Sequence, residues 1–220
     1  MTHHVFVTGG TGYLGSHLMP VLKERGYRVS AVARRGSEYK LPDGVQKTVG
    51  NPLQMNAYTK AVRGADTFIH LIGVAHSGAS RRKQFREVDL TSVRVAAKAA
   101  CEANVKHFIY LSVAQPAPVR RDYIAVRAEC ETILDATGLP VTFLRPWYVL
   151  GPGHRWPGVF IPLYWFCACL PGARRAALRL GLVSLRQMLS ALVWAVENPP
   201  ADVQVIEVPR IRSLARNPPA

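Results

Sequence analysis

Residues 8–15 read TGGTGYLG and follow directly on the apolar run Val5-Phe6-Val7. In this stretch Gly9, Gly12 and Gly15 are spaced three residues apart. A strand, a glycine-rich turn and a helix in this order make backbone N–H groups face a pyrophosphate, which larger side chains would block. We expect Gly9 to allow the tight turn, Gly12 the close approach of the ligand, and Gly15 the packing of helix on strand. The stretch therefore predicts a dinucleotide-binding fold.

Short apolar runs alternate with helix-like stretches along the chain. Strands are predicted at residues 4–8, 28–33, 67–71, 107–111 and 141–144, with a weaker one at 45–49 and a late one at 203–208. Apolar residues at helical spacing predict helices at residues 13–25, 56–62, 90–103 and 123–136. Strands that alternate with helices indicate a parallel sheet covered on both faces. The predicted fold class is α/β, a Rossmann-like doubly wound parallel sheet with a small C-terminal cap.

The composition is that of a globular protein with one sizeable core. The chain has 220 residues, of which 49% are hydrophobic and 19% charged. Residues 1–152 are predicted to form the dinucleotide-binding core, and residues 153–220 a short substrate or cap segment integrated with the same domain. The first residues predict a strand and a glycine turn rather than a signal peptide.

Four cysteines suggest neither a disulfide framework nor the paired spacing of a zinc site: Cys101, Cys130, Cys167 and Cys169. We therefore expect a reducing, cytoplasmic setting and no metal site. The apolar run at residues 159–171 is too short to span a bilayer and contains Pro162. It is interpreted as a pocket wall or a partner-binding face, and a weak contact with anionic membranes remains the alternative.

The formal net charge is +14, and the basic residues are spread along the chain rather than gathered in one tail. The clusters are Arg34-Arg35, Arg81-Arg82-Lys83, Arg120-Arg121 and Arg174-Arg175. The sequence contains no helix-turn-helix, zinc-finger or aromatic-basic signal of nucleic-acid readers. We therefore expect a small anionic ligand and a solvated basic surface rather than specific nucleic-acid binding. The oligomeric state stays open.

The end of the second predicted strand indicates which dinucleotide is preferred. In such folds this point meets the adenosine ribose about 20 residues after the glycines. Arg34 and Arg35 stand there instead of the Asp or Glu that would accept hydrogen bonds from a free 2′-hydroxyl. A guanidinium fits a 2′-phosphate through charge-assisted hydrogen bonds. The sequence therefore favours NADP, with NAD as the alternative.

Several motifs together resemble the extended and atypical short-chain dehydrogenase/reductase superfamily. They are TGGTGYLG, the strand-end Arg34, HLIG at residues 70–73, YLS at residues 110–112, Tyr123 with a basic residue four positions later, and LRPWYVLGPG at residues 144–153. The resemblance is to NAD-dependent epimerase/dehydratase or NmrA-like NAD(P)-binding proteins and to the nucleotide-binding accessory subunit of respiratory complex I. It covers residues 3–155 well and the remainder loosely.

The resemblance implies a set of cofactor contacts. The glycine loop, with Thr11, Tyr13 and Leu14, would hold the pyrophosphate. Leu71, Ile72 and Gly73 would lie along the adenosine side, and Pro146, Tyr148 and Val149 would close over the nicotinamide. Asn51 stands where many relatives carry an Asp that hydrogen-bonds the adenine. Its amide can donate or accept a hydrogen bond there.

The catalytic signature of the superfamily is Tyr-x-x-x-Lys on a helix, with a Ser or Thr at the end of the preceding strand. This chain has Tyr123 and Arg127, which share one face of the predicted helix. By resemblance Tyr123 would protonate a carbonyl oxygen during hydride delivery. Arg127 would supply positive charge but cannot pass on a proton. Ser112 is the candidate hydroxyl.

Two further departures from the superfamily pattern bear on activity. The catalytic hydroxyl of relatives usually comes one residue after Ser112, where this chain has Val113, so Ser112 could serve only as a cofactor contact. The helix Asn of relatives is Asp89 here. These departures favour the alternative function, a non-catalytic NADP(H)-binding sensor or assembly subunit.

The leading prediction is an NADP(H)-binding oxidoreductase that transfers hydride to a small or apolar carbonyl, or to a quinone-like substrate. Residues 153–207 are short, hydrophobic and basic, whereas extended relatives carry a larger lid that grips a nucleotide sugar. A nucleotide-sugar epimerase is therefore less favoured than a reductase.

Overall fold

The computed structural model describes residues 2–73, 86–117, 121–153 and 178–215. Some features discussed above lie outside the described residues. They are the basic clusters at 81–83 and 174–175, Arg120, and the apolar run at 159–171, which contains Cys167 and Cys169.

The described strands form two parallel sheets. Their bounds are β1 (His4–Thr8), β2 (Arg28–Ala33), β3 (Gln46–Val49), β4 (Thr67–His70), β5 (His107–Leu111), β6 (Val141–Arg145), β7 (Tyr148–Leu150), β8 (Leu182–Ser184) and β9 (Val203–Glu207). The main sheet has the order β3-β2-β1-β4-β5-β6-β9, and β7 pairs with β8 in a small second sheet. The strand order reverses between β1 and β4, and ligands bind at the carboxyl ends of the strands beside such a reversal.

Helices cover both faces of the main sheet, which confirms the doubly wound α/β fold. They are α1 (Tyr13–Glu24), α2 (Thr59–Val62), α3 (Thr91–Glu102), α4 (Arg121–Asp135), α5 (Leu185–Glu197) and α6 (Val208–Leu214). Helices α1, α5 and α6 pack on one face, and α2, α3 and α4 on the other. In the part of the chain that the structure describes, no helix is long and apolar enough to cross a membrane.

An aromatic row runs across the α3 face of the sheet. Phe6, Phe68 and Phe108 occupy matching positions of β1, β4 and β5. The rings of Phe68 and Phe108 stack at 4.9 Å, and Phe6 lies 5.1 Å from Phe68. All three are fully buried, because the central strands of a parallel sheet are covered on both faces. This row fixes the register of the strands whose ends form the site.

The structure differs from the predicted elements at a few places. The predicted helix at 56–62 is a 3-10 turn, Met55–Ala57, followed by the four-residue α2. Tyr58 interrupts it with a φ of −145°, and its buried ring stacks on Phe6 at 5.6 Å. Strand ends agree with the prediction to within one residue. The elements β7, β8, α5 and α6 were not predicted.

Candidate dinucleotide-binding site

The glycine loop joins β1 to α1 in a tight turn. Gly9 has a φ of +77°, a conformation that side chains rarely adopt, and its carbonyl oxygen accepts the N–H of Gly12 at 3.0 Å. Gly12 is the first residue before α1, and no side chain caps this helix end. The first backbone N–H groups of a helix have no partner within the helix. They are therefore available to an anion, as expected at a pyrophosphate site.

The three glycines differ in what surrounds them. A Cβ on Gly9 would lie 2.8 Å from the carbonyl carbon of Leu71, and one on Gly15 would lie 2.5 Å from the oxygen of Gly9. Among the described residues, a Cβ on Gly12 would meet the oxygen of Gly9 alone, at 3.1 Å. Gly9 and Gly15 are therefore required by the loop itself, whereas Gly12 keeps a space open. Gly15 packs against the loop residues Gly9 and Gly10 rather than against the strand.

A cavity of about 820 Å³ lies over the carboxyl ends of β1 to β4. The predicted cofactor residues that line it are Gly9, Thr11, Gly12, Arg34, Arg35, Asn51, Leu71, Ile72 and Gly73. The lining residues that were not predicted are Val32, Ala33, Val49, Gly50, Pro52, Leu53 and Val88. Most of the latter are strand-end neighbours of predicted residues, so the position of the strand ends could have indicated them.

Arg34 and Arg35 stand at the rim of the cavity directly after β2. Both side chains are exposed, and neither donates a hydrogen bond to another described residue. On the neighbouring β3 side, the Oδ1 of Asn51 accepts the N–H of Leu53 at 3.1 Å. That bond leaves the amide NH2 of Asn51 as a donor. The rim thus offers two cations and an amide to an adenosine phosphate.

The remaining predicted cofactor residues do not line the cavity. Leu14 and Val149 pack against the hydrophobic core, and the carbonyl oxygen of Pro146 accepts the N–H of Ala114 at 2.9 Å. The hydroxyl of Tyr13 lies against Gly151, where a Cβ would overlap it. Tyr148 lies in β7 with its ring 5.5 Å from that of Trp147. Contacts of Tyr13, Leu14, Gly15, Pro146, Tyr148 and Val149 with a cofactor stay predictions.

Tyr123 and Arg127 lie one turn apart on α4, and both are buried. The central carbon of the guanidinium is 5.2 Å from the centre of the Tyr123 ring. This distance is within the range of a cation–π contact. The helix therefore brings the two side chains together as their spacing predicts.

Arg127 is held from several sides. Its Nη1 donates to the hydroxyl of Tyr110 at 2.9 Å and to the carbonyl oxygen of Leu111 at 3.0 Å. Its Nη2 is 3.5 Å from Oδ2 of Asp89. Burial opposes the charge, but Tyr110, Tyr123 and Asp89 outweigh it, so the pKa of Arg127 lies well above its ordinary value. The guanidinium is a fixed charge.

The guanidinium of Arg127 also reaches the wall of the cavity. A Cβ on Gly73 would overlap its Nη2, and Gly73 lines the cavity. The Tyr123–Arg127 pair is thereby connected to the dinucleotide site through the backbone of Gly73. The absence of a side chain at Gly73 is what allows this approach.

Ser112 and Val113 follow β5 and face different surroundings. Ser112 is buried, its N–H donates to the carbonyl oxygen of Leu144 at 2.8 Å, and its hydroxyl makes no hydrogen bond with the described residues. Val113 packs with Tyr123, flanked by Ile124 and Trp147. The residue in contact with the catalytic candidate Tyr123 thus carries methyl groups rather than a hydroxyl.

Glu131 is a residue of this region that the sequence analysis missed. Its carboxylate accepts hydrogen bonds from Nε of Arg145 at 3.0 Å, from Nη2 of the same residue, and from Nε2 of Gln115 at 2.9 Å. It therefore ties the end of β6 to the loop after β5. Tyr123, Arg127 and Glu131 recur every fourth residue on α4, and this spacing was the available signal.

Histidines of the sheet pair with hydroxyl groups. His70 lies between the Oγ1 of Thr8 at 2.8 Å and the Oγ of Ser92 at 3.2 Å. Burial, with a smaller contribution from Arg127, lowers the pKa of His70 to about 3. His107 contacts Oγ1 of Thr142 at 2.9 Å. Within the described ranges, no three His, Cys, Asp or Glu side chains are grouped so that they could hold a metal.

Curated proteins of known activity match part of the chain. A ceramide reductase from Caulobacter vibrioides is 29% identical over 154 residues, which are 68% of this chain and 47% of that protein. Sterol demethylase protein B from Methylococcus capsulatus is 27% identical over 168 residues, 66% of this chain and 51% of that protein. The chain thus spans about half the length of these relatives.

Solved structures share the fold. WbmH of Bordetella bronchiseptica, in complex with NAD+, superimposes with a TM-score of 0.70 at 20% identity, over 94% of this chain and 76% of that one. MoeE5, in complex with UDP-glucose and NAD, superimposes with a TM-score of 0.71 at 20% identity, over 96% of this chain and 80% of that one.

The family assignment rests on a match over most of the sequence. Residues 5–166, which include the glycine loop, the cavity and the Tyr123–Arg127 pair, match the model of the NAD dependent epimerase/dehydratase family. The chain belongs to the NAD-dependent epimerase/dehydratase family.

Proposed function

We propose that this protein is an NADP(H)-dependent oxidoreductase that reduces the carbonyl group of an apolar, lipid-like or quinone-like molecule. The observation that carries the proposal is the continuous path from the arginine rim to Tyr123. One cavity joins Arg34 and Arg35 to the glycine loop and to Gly73, and Arg127 connects Gly73 to Tyr123. This path supports a single site with a phosphate-binding end in the cavity and a proton-donating end at Tyr123, behind Arg127.

The residues around the cavity fit NADP(H). The open start of α1 suits the pyrophosphate, and the space at Gly12 allows its approach. Arg34 and Arg35 are suited to a 2′-phosphate, since a guanidinium binds phosphate with paired, charge-assisted hydrogen bonds. Among the described residues that line the cavity, none carries a carboxylate that would bind a free 2′-hydroxyl. These contacts support NADP(H) over NAD(H).

In this proposal the chain's own residues transfer a proton and stabilise charge. When bound, NADPH supplies the hydride. The phenol of Tyr123 then donates a proton to the carbonyl oxygen, and the fixed charge of Arg127 stabilises the phenolate left behind. Because Arg127 does not release its proton, the phenolate must regain one from water or from another group.

The names of several curated relatives support an apolar substrate, although a UDP-glucose 4-epimerase from Vibrio cholerae also matches. They include a ceramide reductase, a 3-beta-hydroxysteroid dehydrogenase from Mycolicibacterium neoaurum, and a ketoreductase from Stigmatella aurantiaca whose substrate carries a farnesyl chain. Each name refers to a largely hydrocarbon molecule. This agrees with the hydrophobic character of residues 153–207 in the sequence.

The test is NADPH oxidation with a panel containing a steroid ketone, a long-chain ketone, a quinone and a small aldehyde. We expect turnover with an apolar member and a loss of about 10²–10⁴-fold in Tyr123→Phe, as for other general acids. Tyr39→Phe is the matched control, because Tyr39 is 74% exposed and does not line the cavity. Undiminished turnover in Tyr123→Phe would exclude the phenol as the acid.

A second candidate is a non-catalytic NADP(H)-binding sensor or assembly subunit. The contact of Val113 with Tyr123 favours it, because the hydroxyl expected beside the phenol is missing from that position. NADPH binding in calorimetry, combined with no oxidation across the panel, would favour this function over the first.

A further inference from the structure

We infer that Asp89 is a positioning residue for the dinucleotide site: it holds the guanidinium of Arg127 under Gly73 and thereby shapes the half of the site that lies beyond the pyrophosphate. The inference rests on the proposed function, because it assumes that the cavity binds NADP(H). Asp89 does not line the cavity, and the path proposed from it to a ligand runs through Arg127, which reaches Gly73 in the cavity wall.

The Asp89–Arg127 pair is unusual in its burial. Asp89 is fully buried and Arg127 is 4% exposed, whereas each of the other ion pairs among the described residues has at least one partner that is open to water, including Arg145–Glu131, in which Arg145 is partly exposed. A buried charge without its counter-charge is strongly unfavourable. Arg127 therefore cannot keep its place in the interior unless a negative group such as Asp89 accompanies it.

The pair also fixes the direction of the guanidinium. Nη1 is occupied by Tyr110 and Leu111, so the planar fork leaves Nη2 to face Asp89. Nη2 is the atom that a Cβ on Gly73 would overlap. An Arg127 released from Asp89 would rotate away from this position or push against the Gly73 backbone.

Asp89 is itself held by a buried chain of hydrogen bonds. Its carbonyl oxygen accepts the hydroxyl of Ser92 at 2.9 Å, and the same hydroxyl contacts Nε2 of His70. His70 in turn contacts Thr8, the residue before Gly9. The π-helical turn Arg86–Leu90, which carries Asp89, is thus linked to the strand that leads into the glycine loop.

The strand order shows which half of the ligand is affected. Arg34 and Arg35 follow β2, the glycine loop follows β1, and Gly73 follows β4 on the other side. With the 2′-phosphate at β2 and the pyrophosphate at β1, the nicotinamide half would extend over β4 and β5, so the inference places Gly73 toward the nicotinamide half and not along the adenosine side that the resemblance implies. Asp89 therefore acts on the nicotinamide half and not on the adenosine half.

The test compares two ligands by calorimetry. Adenosine 2′,5′-bisphosphate carries only the adenosine half, whereas NADPH carries both. In Asp89→Asn we expect NADPH affinity to fall about tenfold, equivalent to about 1.4 kcal/mol, while adenosine bisphosphate affinity is unchanged. Equal loss for both ligands, or no loss for NADPH, would overturn the inference.

The matched control is Asp66→Asn. Asp66 pairs with Lys106 at 2.7 Å and its carboxylate accepts the backbone N–H of His4 at 3.0 Å, but it directly precedes β4 and so lies at the amino ends of the strands, away from the cavity. This variant should bind both ligands as the wild type does. A loss of NADPH affinity in Asp66→Asn equal to that in Asp89→Asn would show a general loss of stability and would overturn the positioning role.

A second variant covers the case in which Asp89→Asn does not fold. Asp89→Asn/Arg127→Met removes both buried charges together, which is far less costly than removing one. We expect the same selective loss of NADPH affinity, and unchanged NADPH binding would overturn the inference. If the wild-type protein binds neither NADPH nor adenosine bisphosphate, the proposed function fails. If the wild type and both variants bind the two ligands with the same affinities, only the role of Asp89 fails.

Discussion

Gly15 lies so close to Gly9 that a Cβ on Gly15 would stand 2.5 Å from the Gly9 carbonyl oxygen and 2.6 Å from the Cα of Gly10. Both neighbours are backbone atoms, which cannot rotate away. For Gly12, three residues earlier, the described part of the chain places one backbone atom within 4 Å of a Cβ, at 3.1 Å. The same motif thus contains one glycine that the fold requires and one that the ligand requires.

This difference predicts opposite results for two substitutions. Gly12→Val should lower the free energy of unfolding less than Gly15→Val does, since its Cβ would meet the Gly9 oxygen at 3.1 Å rather than 2.5 Å, but it should place methyl groups where the pyrophosphate approaches, so that dinucleotide affinity falls at least about tenfold. Gly15→Val should lower the free energy of unfolding by more than the roughly 1–3 kcal/mol typical of an overpacked site. Urea unfolding and calorimetry separate the two effects. Normal dinucleotide binding by folded Gly12→Val would contradict the assignment of the loop.

The arginine rim predicts the choice of cofactor. Each charged hydrogen bond to a 2′-phosphate contributes roughly 1.5–3 kcal/mol, so NADPH should bind at least about tenfold more tightly than NADH. Arg34→Ala should weaken NADPH binding and leave NADH binding alone, and added salt should narrow the difference between the cofactors. Arg63→Ala is the control, since Arg63 is exposed and does not line the cavity. Equal affinities for both cofactors at low salt would refute the preference.

Local sequence patterns were sufficient to predict those features that depend on neighbouring residues in the chain. The glycine loop, the strand-end arginines and the shared face of Tyr123 and Arg127 are all set within one turn or one strand end. Helix α5 could also have been predicted from such a signal. Its start carries a capping box, in which Gln187 N–H donates to Ser184 Oγ at 3.2 Å and Ser184 N–H to Gln187 Oε1 at 2.8 Å.

Other features depend on residues that are distant in sequence. Tyr58 breaks a predicted helix because its ring is buried against Phe6, and no local pattern shows this contact. Asp89 and Arg127 are 38 positions apart, and only the packing of α4 on the turn before α3 brings them together. Tertiary packing outweighs local preference at such positions, so the arrangement of the candidate site required the structure.

The buried histidines predict loss of stability in mild acid. Burial lowers the pKa of His70 to about 3 and that of His107 to about 4, from the ordinary 6.5. Between these values the unfolded chain binds protons that the native protein does not, so stability is complete above pH 6.5 and falls as the pH decreases. At pH 5 each histidine should cost about 2 kcal/mol, since one pKa unit corresponds to about 1.36 kcal/mol.

The check is urea unfolding at pH 7.5 and pH 5. His107→Gln should lose less stability between these two values than the wild type, because one titrating group is gone. Thr142→Val removes the hydroxyl that contacts His107 at 2.9 Å but keeps the buried ring, so this control should retain the pH dependence. If the free energy of unfolding of His107→Gln fell between pH 7.5 and pH 5 by as much as that of the wild type, His107 would be ruled out as a source of the pH dependence.

The contact of Val113 with Tyr123 predicts that turnover can be increased by a single substitution. Val113→Thr keeps the side-chain shape and adds a hydroxyl to a side chain that packs on Tyr123, at the position where the resemblance implies the catalytic hydroxyl. A single donor of this kind is worth about 10²–10³ in kcat in other enzymes, so we expect kcat to rise at least about tenfold, with NADPH affinity unchanged.

Burying the hydroxyl should cost about 1–3 kcal/mol of stability. Val126→Thr makes the same chemical change at a buried position of α4 that faces the hydrophobic core, and it should show the loss of stability without the gain in kcat. The measurement is kcat from steady-state kinetics with the best substrate of the carbonyl panel. A folded, NADPH-binding Val113→Thr protein with wild-type kcat would show that a hydroxyl at this position does not limit the reaction.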